Sequence, residues 1–250
     1  TNSFNDQLIS AFDYANDVIG RSTARLDSRL DGVVIPNAFG YNARSEVTSA
    51  NIGTNAYGYV FDPIGNRIST INNVDVTSYA ANTLNQYTAI SNAVVTLPIH
   101  DDDGNMTSTG DGWHYAWNGE NRLVLASNAT HVASYAYDYQ GRMVWKKISR
   151  GGADAQSWEE KKTTSYLWDD FNIIAETSEE TETTNTTYNV WGINIDGTMR
   201  GAGGVGGLLA VVKDNAMSYF PCYDGNGSIT EYVLENGYTV AHREYDHFGG

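Results

Sequence analysis

The sequence predicts an all-β fold of stacked antiparallel β-hairpins that form a long curled sheet, and three observations carry that expectation. A turn signature, Asp-x-x-Gly, recurs six times along the 250 residues. Pairs of aromatic residues two positions apart stand just ahead of many of these turns. The composition, with aromatics at 12%, 17 tyrosines and 25 glycines, favours strands joined by tight turns, so almost no helix is expected.

The six turns are Asp17 to Gly20, Asp62 to Gly65, Asp101 to Gly104, Asp138 to Gly141, Asp224 to Gly227 and Asp246 to Gly249. Asp at the first position of a type I turn accepts a backbone N–H, and Gly at the fourth takes the left-handed conformation that closes a hairpin. Asp62-Pro63-Ile64-Gly65 is the sharpest copy, because Pro presets φ at the second position. Asn tolerates the left-handed region next best. Allowing it adds Asn82 to Asn85, Asn118 to Asn121, Asp169 to Asn172 and Asn189 to Gly192. Fourth positions then fall at 65, 85, 104, 121, 141, 172 and 192, in steps of 20, 19, 17, 20, 31 and 20. Asn42 to Ser45 fits one step earlier, with Ser a poor left-handed residue.

The aromatic pairs are Phe39 and Tyr41, Tyr59 and Phe61, Tyr115 and Trp117, Tyr135 and Tyr137, and Tyr166 and Trp168. A spacing of two puts both rings on one strand face. Successive hairpins would then carry an aromatic ladder, each cross-strand contact contributing about 0.2–1 kcal/mol. After the turns the chain alternates again, as in Arg142, Val144, Lys146 and Ile148 against Met143, Trp145 and Lys147. A lone hairpin cannot bury its apolar face, so the units are expected to stack edge to edge into one twisted sheet.

These residues resemble the tyrosine-aspartate (YD, or Rhs) repeat family, whose motif runs loosely Tyr-x-Tyr-Asp-x-x-Gly-Arg. Tyr135-Ala136-Tyr137-Asp138-Tyr139-Gln140-Gly141-Arg142-Met143 matches it most fully. Phe61 to Ile68, Asn85 to Tyr87, Trp117 to Leu123 and Glu244 to Gly249 match in part, so the resemblance covers almost the whole chain. It implies a β-sheet spiral or barrel-like shell around a hollow that shields a polymorphic, often toxic segment. Shells of this kind that release cargo carry a core region with an Asp pair linked to self-cleavage. These 250 residues do not read as such a region, and self-cleavage is not assigned to them. Residues 1–250 read as one repeat region, an internal fragment or processed product whose open edges need a partner. Residues 150–164 lengthen one step and read as an inserted hairpin tip or surface loop, and residues 176–187 as an acidic solvated loop.

Charge and cysteine content narrow the function. A net charge of −15 repels phosphate backbones and anionic lipid, so nucleic acid is not an expected partner. Cys222 alone excludes an internal disulfide or a cysteine metal cluster. No run reaches the length of a membrane span.

Candidate chemistry reads as structure. Gly201 to Gly207 contains Gly-x-Gly-x-x-Gly, but Leu208 to Val212 after it reads as a strand, where a dinucleotide site needs a helix. The stretch is expected to be a tight backbone crossing. In Asp101-Asp102-Asp103-Gly104-Asn105, positions 6 and 12 of a calcium loop would fall on Met106 and Gly112, so a turn is expected. The five histidines show no metal-ligand spacing. Catalytic residues, metal ligands and cofactors are therefore expected to be absent, and the chain is expected not to be an enzyme. The Asn-x-Ser/Thr sequons at Asn105, Asn128, Asn185 and Asn226 matter only in a host that glycosylates them.

The leading expectation is a structural segment of a large secreted or cell-surface bacterial protein. Its partners would be the remaining repeats of a longer chain, or copies of itself joined through open sheet edges. One alternative is a self-assembling extracellular fibre or tube. A second is a carbohydrate-binding adhesin using exposed rings such as Trp113 and Trp158.

Overall fold

The computed structural model describes residues 1–151, 158–180, 182–199, 204–213, 217–246 and 248. Every regular element among them is a β-strand, as the hairpin signals require. The first sheet comprises β1 (Asn2–Phe4), β2 (Gln7–Asn16), β3 (Ser22–Arg29), β4 (Val34–Tyr41), β5 (Val47–Ile52), β6 (Asn55–Phe61), β7 (Arg67–Asn72), β8 (Asp75–Ala81), β9 (Tyr87–Ser91) and β10 (Val95–Thr96). The second comprises β11 (Ile99–His100), β12 (Met106–Ser108), β13 (His114–Trp117), β14 (Leu123–Ser127), β15 (His131–Tyr137), β16 (Met143–Gly151), β17 (Trp158–Asp169), β18 (Asn172–Glu180), β19 (Thr183–Trp191), β20 (Leu208–Lys213), β21 (Ser218–Tyr223), β22 (Ile229–Val233) and β23 (Thr239–His242). In both sheets the strands pair in chain order, so each is an open antiparallel meander of hairpins.

The turns alternate in kind along each meander. In the first sheet the Asp and Asn turns follow β2, β4, β6 and β8, and therefore share one edge. Asp138 shows their build. Gly141 N donates to its carbonyl at 3.1 Å, while its carboxylate Oδ1 accepts Gln140 N at 2.9 Å and Arg142 N at 3.0 Å. Asp17, Asn42, Asp62, Asn82, Asp101, Asn118 and Asp224 make the same pattern. The fourth residue is left-handed each time, with φ from 56° at Asn121 to 96° at Gly65. Even Ser45 adopts φ 64°, a strain that Gly or Asn avoids. At the opposite edge the returns are shorter, with Asn5-Asp6 and Asn73 left-handed at the tips.

Three places differ from the sequence expectation. Asp169 and Asn172 face each other as the last pair of a tight hairpin, and Asp170, with φ 54°, takes the left-handed role expected of Asn172. Asn189 to Gly192 is not a turn, because Tyr188, Val190 and Trp191 continue β19. The chain turns instead at Asn194, where Gly197 N bonds the Asn194 carbonyl at 2.9 Å inside a loop closed by Gly192 N on Gly207 O at 2.7 Å. Residues 176–180 and 183–187 are strand and not loop. Their threonines, with Thr177 opposite Thr186, extend β18 and β19 into a long hairpin. The lengthened step at 150–164 agrees with the inserted-hairpin reading, with β16 and β17 paired from Trp145 with Ser165 to Gly151 with Trp158.

Within the Gly-rich stretch, Gly201 and Gly203 lie outside the described residues. Gly204 and Gly206 are left-handed, and strand β20 follows.

The region expected to be continuous falls into two compact units. One gathers residues 1–80, 91–94 and 219–250, and the other residues 81–90 and 95–218. In the first unit Ile9, Cys222 and Val233 form a small buried cluster with Phe4 against it, so the C-terminal hairpins cover the first strands of the chain.

Candidate functional site

Two arrangements bring chemistry-bearing side chains together: a clasp repeated from turn to turn, and a polar seam in the first unit. The clasp is built on the aromatic residue immediately before a turn. Its ring N–H or O–H reaches back one hairpin to the carbonyl two residues beyond the preceding turn's fourth position. Tyr41 donates to Ser22 at 2.7 Å, Trp117 to Met106, Tyr137 to Leu123 and Trp168 to Met143 at 2.8 Å each, and Tyr245 to Ile229 at 2.6 Å. The strand register shifts by one residue beside each turn, as between Ala136 and Tyr137. Such a bulge interrupts the ladder. The ring donor supplies the carbonyl with a partner.

Arginine completes the clasp from the other side. Arg21 lies 4.8 Å from the Tyr41 ring centroid, Arg122 lies 5.3 Å from Tyr137, and Arg142 lies 6.0 Å from Trp168. Each also donates to a carbonyl of that next turn: Arg21 to Asn42 at 3.2 Å, Arg122 to Asp138 at 3.0 Å, and Arg142 to Asp170. Arg21 and Arg142 in addition hold the Asp of their own turns, at 2.6 and 2.7 Å. Burial pushes the Tyr41 and Tyr137 phenols above their ordinary range. The Asp17, Asp62, Asp101 and Asp138 carboxyls sit below theirs. Burial opposes this, and the hydrogen bonds they accept outweigh it.

The residues singled out from sequence thus fall into place as follows. Asp17, Gly20, Asp62, Gly65, Asp101, Gly104, Asp138, Gly141, Asp224 and Gly227 build turns. Asp246 accepts Phe248 N at 2.8 Å, and Gly249 lies outside the described residues. Tyr115, Trp117, Tyr135, Tyr137, Tyr166 and Trp168 stand on β13, β15 and β17, each pair separated from the next by an intervening strand. That spacing, about 9.5 Å, places guanidinium and ammonium groups against the rings where ring-on-ring stacking was expected. Tyr59 is buried, with Arg67 5.1 Å and Phe248 5.2 Å from its ring, and Phe61 precedes its turn without a polar tip to clasp with. The side chain of Trp158 lies outside the described residues.

The seam joins residues more than two hundred positions apart. Glu231, 3% exposed, accepts Ser10 Oγ at 2.6 Å and Thr230 Oγ1 at 2.7 Å, and meets His242 Nδ1 at 3.0 Å. Asn2 Nδ2 bridges Ser10 Oγ at 3.0 Å and the Tyr223 carbonyl at 2.9 Å. Nearby, Gly225 N donates to the Tyr14 hydroxyl at 3.1 Å, Arg25 lies 3.7 Å from Asp224, and Arg29 pairs with Glu244. A cavity of about 30 Å³ lies among these side chains, room for roughly one water.

Ser10, Glu231 and His242 invite comparison with a hydrolytic triad, but their order is wrong. A triad places histidine between nucleophile and carboxylate, so that imidazole takes the hydroxyl proton. Here the carboxylate stands in the middle and collects three partners, which satisfies a buried charge and orients nothing for attack. Burial, aided by Glu231, pushes the Cys222 thiol to about 11, which leaves it protonated and inert at neutral pH. Among the described residues no three His, Cys, Asp or Glu side chains gather as metal ligands would. No helix there is long and apolar enough to cross a membrane.

The clasp carries a local signal, an aromatic directly before Asp or Asn and Arg directly after the fourth position. Its meaning was hidden because the partners are backbone carbonyls, which every residue has. The seam has no local signal.

No family model matches the chain. Over 201 residues, 76% of its length, the chain is 26% identical to the tRNA nuclease WapA of Bacillus subtilis strain 168, and it spans 7% of that protein. Among solved structures it is similar to TcdB2-TccC3, at 11% identity and a TM-score of 0.42, covering 96% of this chain and 17% of that one. It is also similar to the Photorhabdus luminescens Tc holotoxin pore, at 13% identity and a TM-score of 0.39 over the same shares. A porin-like protein from Bacteroides uniformis gives 11% identity and a TM-score of 0.33, covering 87% and 88%.

Proposed function

We propose that these residues are a structural repeat segment of a large Rhs-like bacterial protein, secreted or held at the cell surface, and that they form part of the wall of a hollow β shell. The supporting observation is the clasp. Its Tyr and Arg link one hairpin to the next through backbone carbonyls, and its Asp and Gly close the turns between them, which is the work of a scaffold.

On this reading any enzymatic activity of the whole protein resides outside these residues. The nuclease activity in the name of the Bacillus subtilis relative belongs to a chain of which this segment spans 7%. The charge of −15 also disfavours direct contact between this segment and tRNA.

Incubation of the purified chain with total tRNA tests the reading. Intact tRNA is expected. Cleavage that disappears in Ser10→Ala or Glu231→Gln would overturn it.

A further inference from the structure

Two hairpins of the chain share their turn and a phenol that faces a cation beside it. Residues 11–29 and 132–150 align without a gap on their turns, with 7 of 19 positions identical: Tyr14 and Tyr135, Ala15 and Ala136, Asp17 and Asp138, Gly20 and Gly141, Arg21 and Arg142, Ser28 and Ser149, and Arg29 and Arg150. Arg25 aligns with Lys146, so both carry a cation eight positions after the turn Asp. Tyr14 faces Arg25 across the β2–β3 pair, and Tyr135 faces Lys146 across the β15–β16 pair. Directly opposed residues of an antiparallel pair share a sheet face. Each hairpin therefore presents a phenol beside a cation, in the same register relative to its turn.

In the first hairpin this pair is a receptor. The Tyr14 hydroxyl accepts Gly225 N at 3.1 Å, and Arg25 lies 3.7 Å from the Asp224 carboxylate. A side chain at position 225 would bring its Cβ to 2.8 Å from the Tyr14 ring, so the incoming turn must open Asp-Gly. Tyr59, Tyr115 and Tyr166 also stand three residues before their turns, but they face Thr70, Ala126 and Glu176, none a cation.

We propose that Tyr135 and Lys146 form a second receptor of the same kind, for a β-hairpin whose turn opens Asp-Gly and which belongs to another repeat segment. The phenol oxygen accepts the glycine N–H and the ammonium pairs with the aspartate. One difference favours an external ligand. Arg25 is held by Asp27 at 2.7 Å, whereas the position equivalent to Asp27 is Ile148, and Lys146 rests 5.8 Å from the Tyr166 ring. Lys146 hydrogen-bonds the Tyr166 phenol and lies in the field of Glu176, which faces Tyr166, and no carboxylate of its own strand grips it as Asp27 grips Arg25. Charge complementarity commits the occupant to an acidic turn, and the close approach to the phenol commits the next residue to glycine.

The test uses the intact chain and a cyclised hairpin peptide of residues 218–233 with Cys222→Ser. Side-chain NMR signals of Tyr135 and Lys146 are followed during titration, with Tyr14 as reference. Saturable shifts at Tyr135 and Lys146 are expected, weakened at least fivefold by Lys146→Met and by Tyr135→Phe, both half-buried positions whose variants are checked for fold by circular dichroism. Peptides carrying Gly225→Ala or Asp224→Asn leave the receptor chain untouched and are expected to bind at least fivefold more weakly. Absence of binding, shifts confined to Tyr14, or binding indifferent to all four changes would overturn the proposal.

Discussion

The Arg122 guanidinium lies 5.3 Å from the Tyr137 ring centroid and donates to the carbonyl of Asp138 at 3.0 Å, while the Tyr137 hydroxyl returns a bond to Leu123 at 2.8 Å, next but one after Asn121. Two neighbouring hairpins are therefore tied in both directions by one Arg–Tyr pair. The same exchange joins Arg21 with Tyr41 and Arg142 with Trp168.

Removing the polar tip isolates the reverse bond. Tyr137→Phe keeps the ring and leaves the Leu123 carbonyl without its donor, so a loss of about 0.5–1.5 kcal/mol is expected in urea unfolding. Tyr139→Phe, at a position 90% exposed, is expected to change nothing measurable.

The forward bond responds to the shape of the cation. Arg142→Lys retains charge but cannot lie flat on Trp168 while holding both Asp138 and Asp170. A loss of about 1 kcal/mol is expected by the same measurement, from the weakened ring contact and one hydrogen bond. An unchanged midpoint would show that the guanidinium geometry is irrelevant.

Turn glycines separate by conformation and not by crowding. Gly141 has φ 82° with open space where a Cβ would stand, so Gly141→Ala costs backbone strain alone, about 1 kcal/mol. Gly119, also in open space and not left-handed, is expected to accept Ala with no loss. The residues most legible in the sequence are of this sort. A left-handed position favours Gly or Asn, so Gly65, Gly141 and Asn121 announce themselves, whereas Ser45 and Asp170 do not. Asn189 to Gly192 misled because the same letters fit a strand, and the register was settled by Trp191, whose indole donates to Ile173 at 2.8 Å. The Ser10–Glu231 contact was illegible because its partners lie 221 residues apart and neither stands in a pattern.

Acid is expected to weaken the fold through the turn carboxylates. Asp17, Asp62, Asp101 and Asp138 titrate below their ordinary value when folded, so the unfolded chain binds protons first. Their contribution is complete above the unfolded pKa of about 3.9 and is lost as pH falls through the lower folded values. Urea midpoints should hold level from pH 7 to 5 and drop below about pH 4. Asp138→Asn, which keeps an acceptor in the turn, should flatten part of that drop, and an identical acid slope would count against the carboxylates.

On the proposed reading these hairpins are wall and not machinery. Cryo-electron microscopy of the full-length protein that carries them tests it most directly. The claim predicts that residues 1–250 lie in the wall of a hollow β shell, with Tyr41, Trp117, Tyr137 and Trp168 bonded to the carbonyls of Ser22, Met106, Leu123 and Met143. A map that shows the same residues as an open fibre, or gathered around a bound substrate, would contradict it.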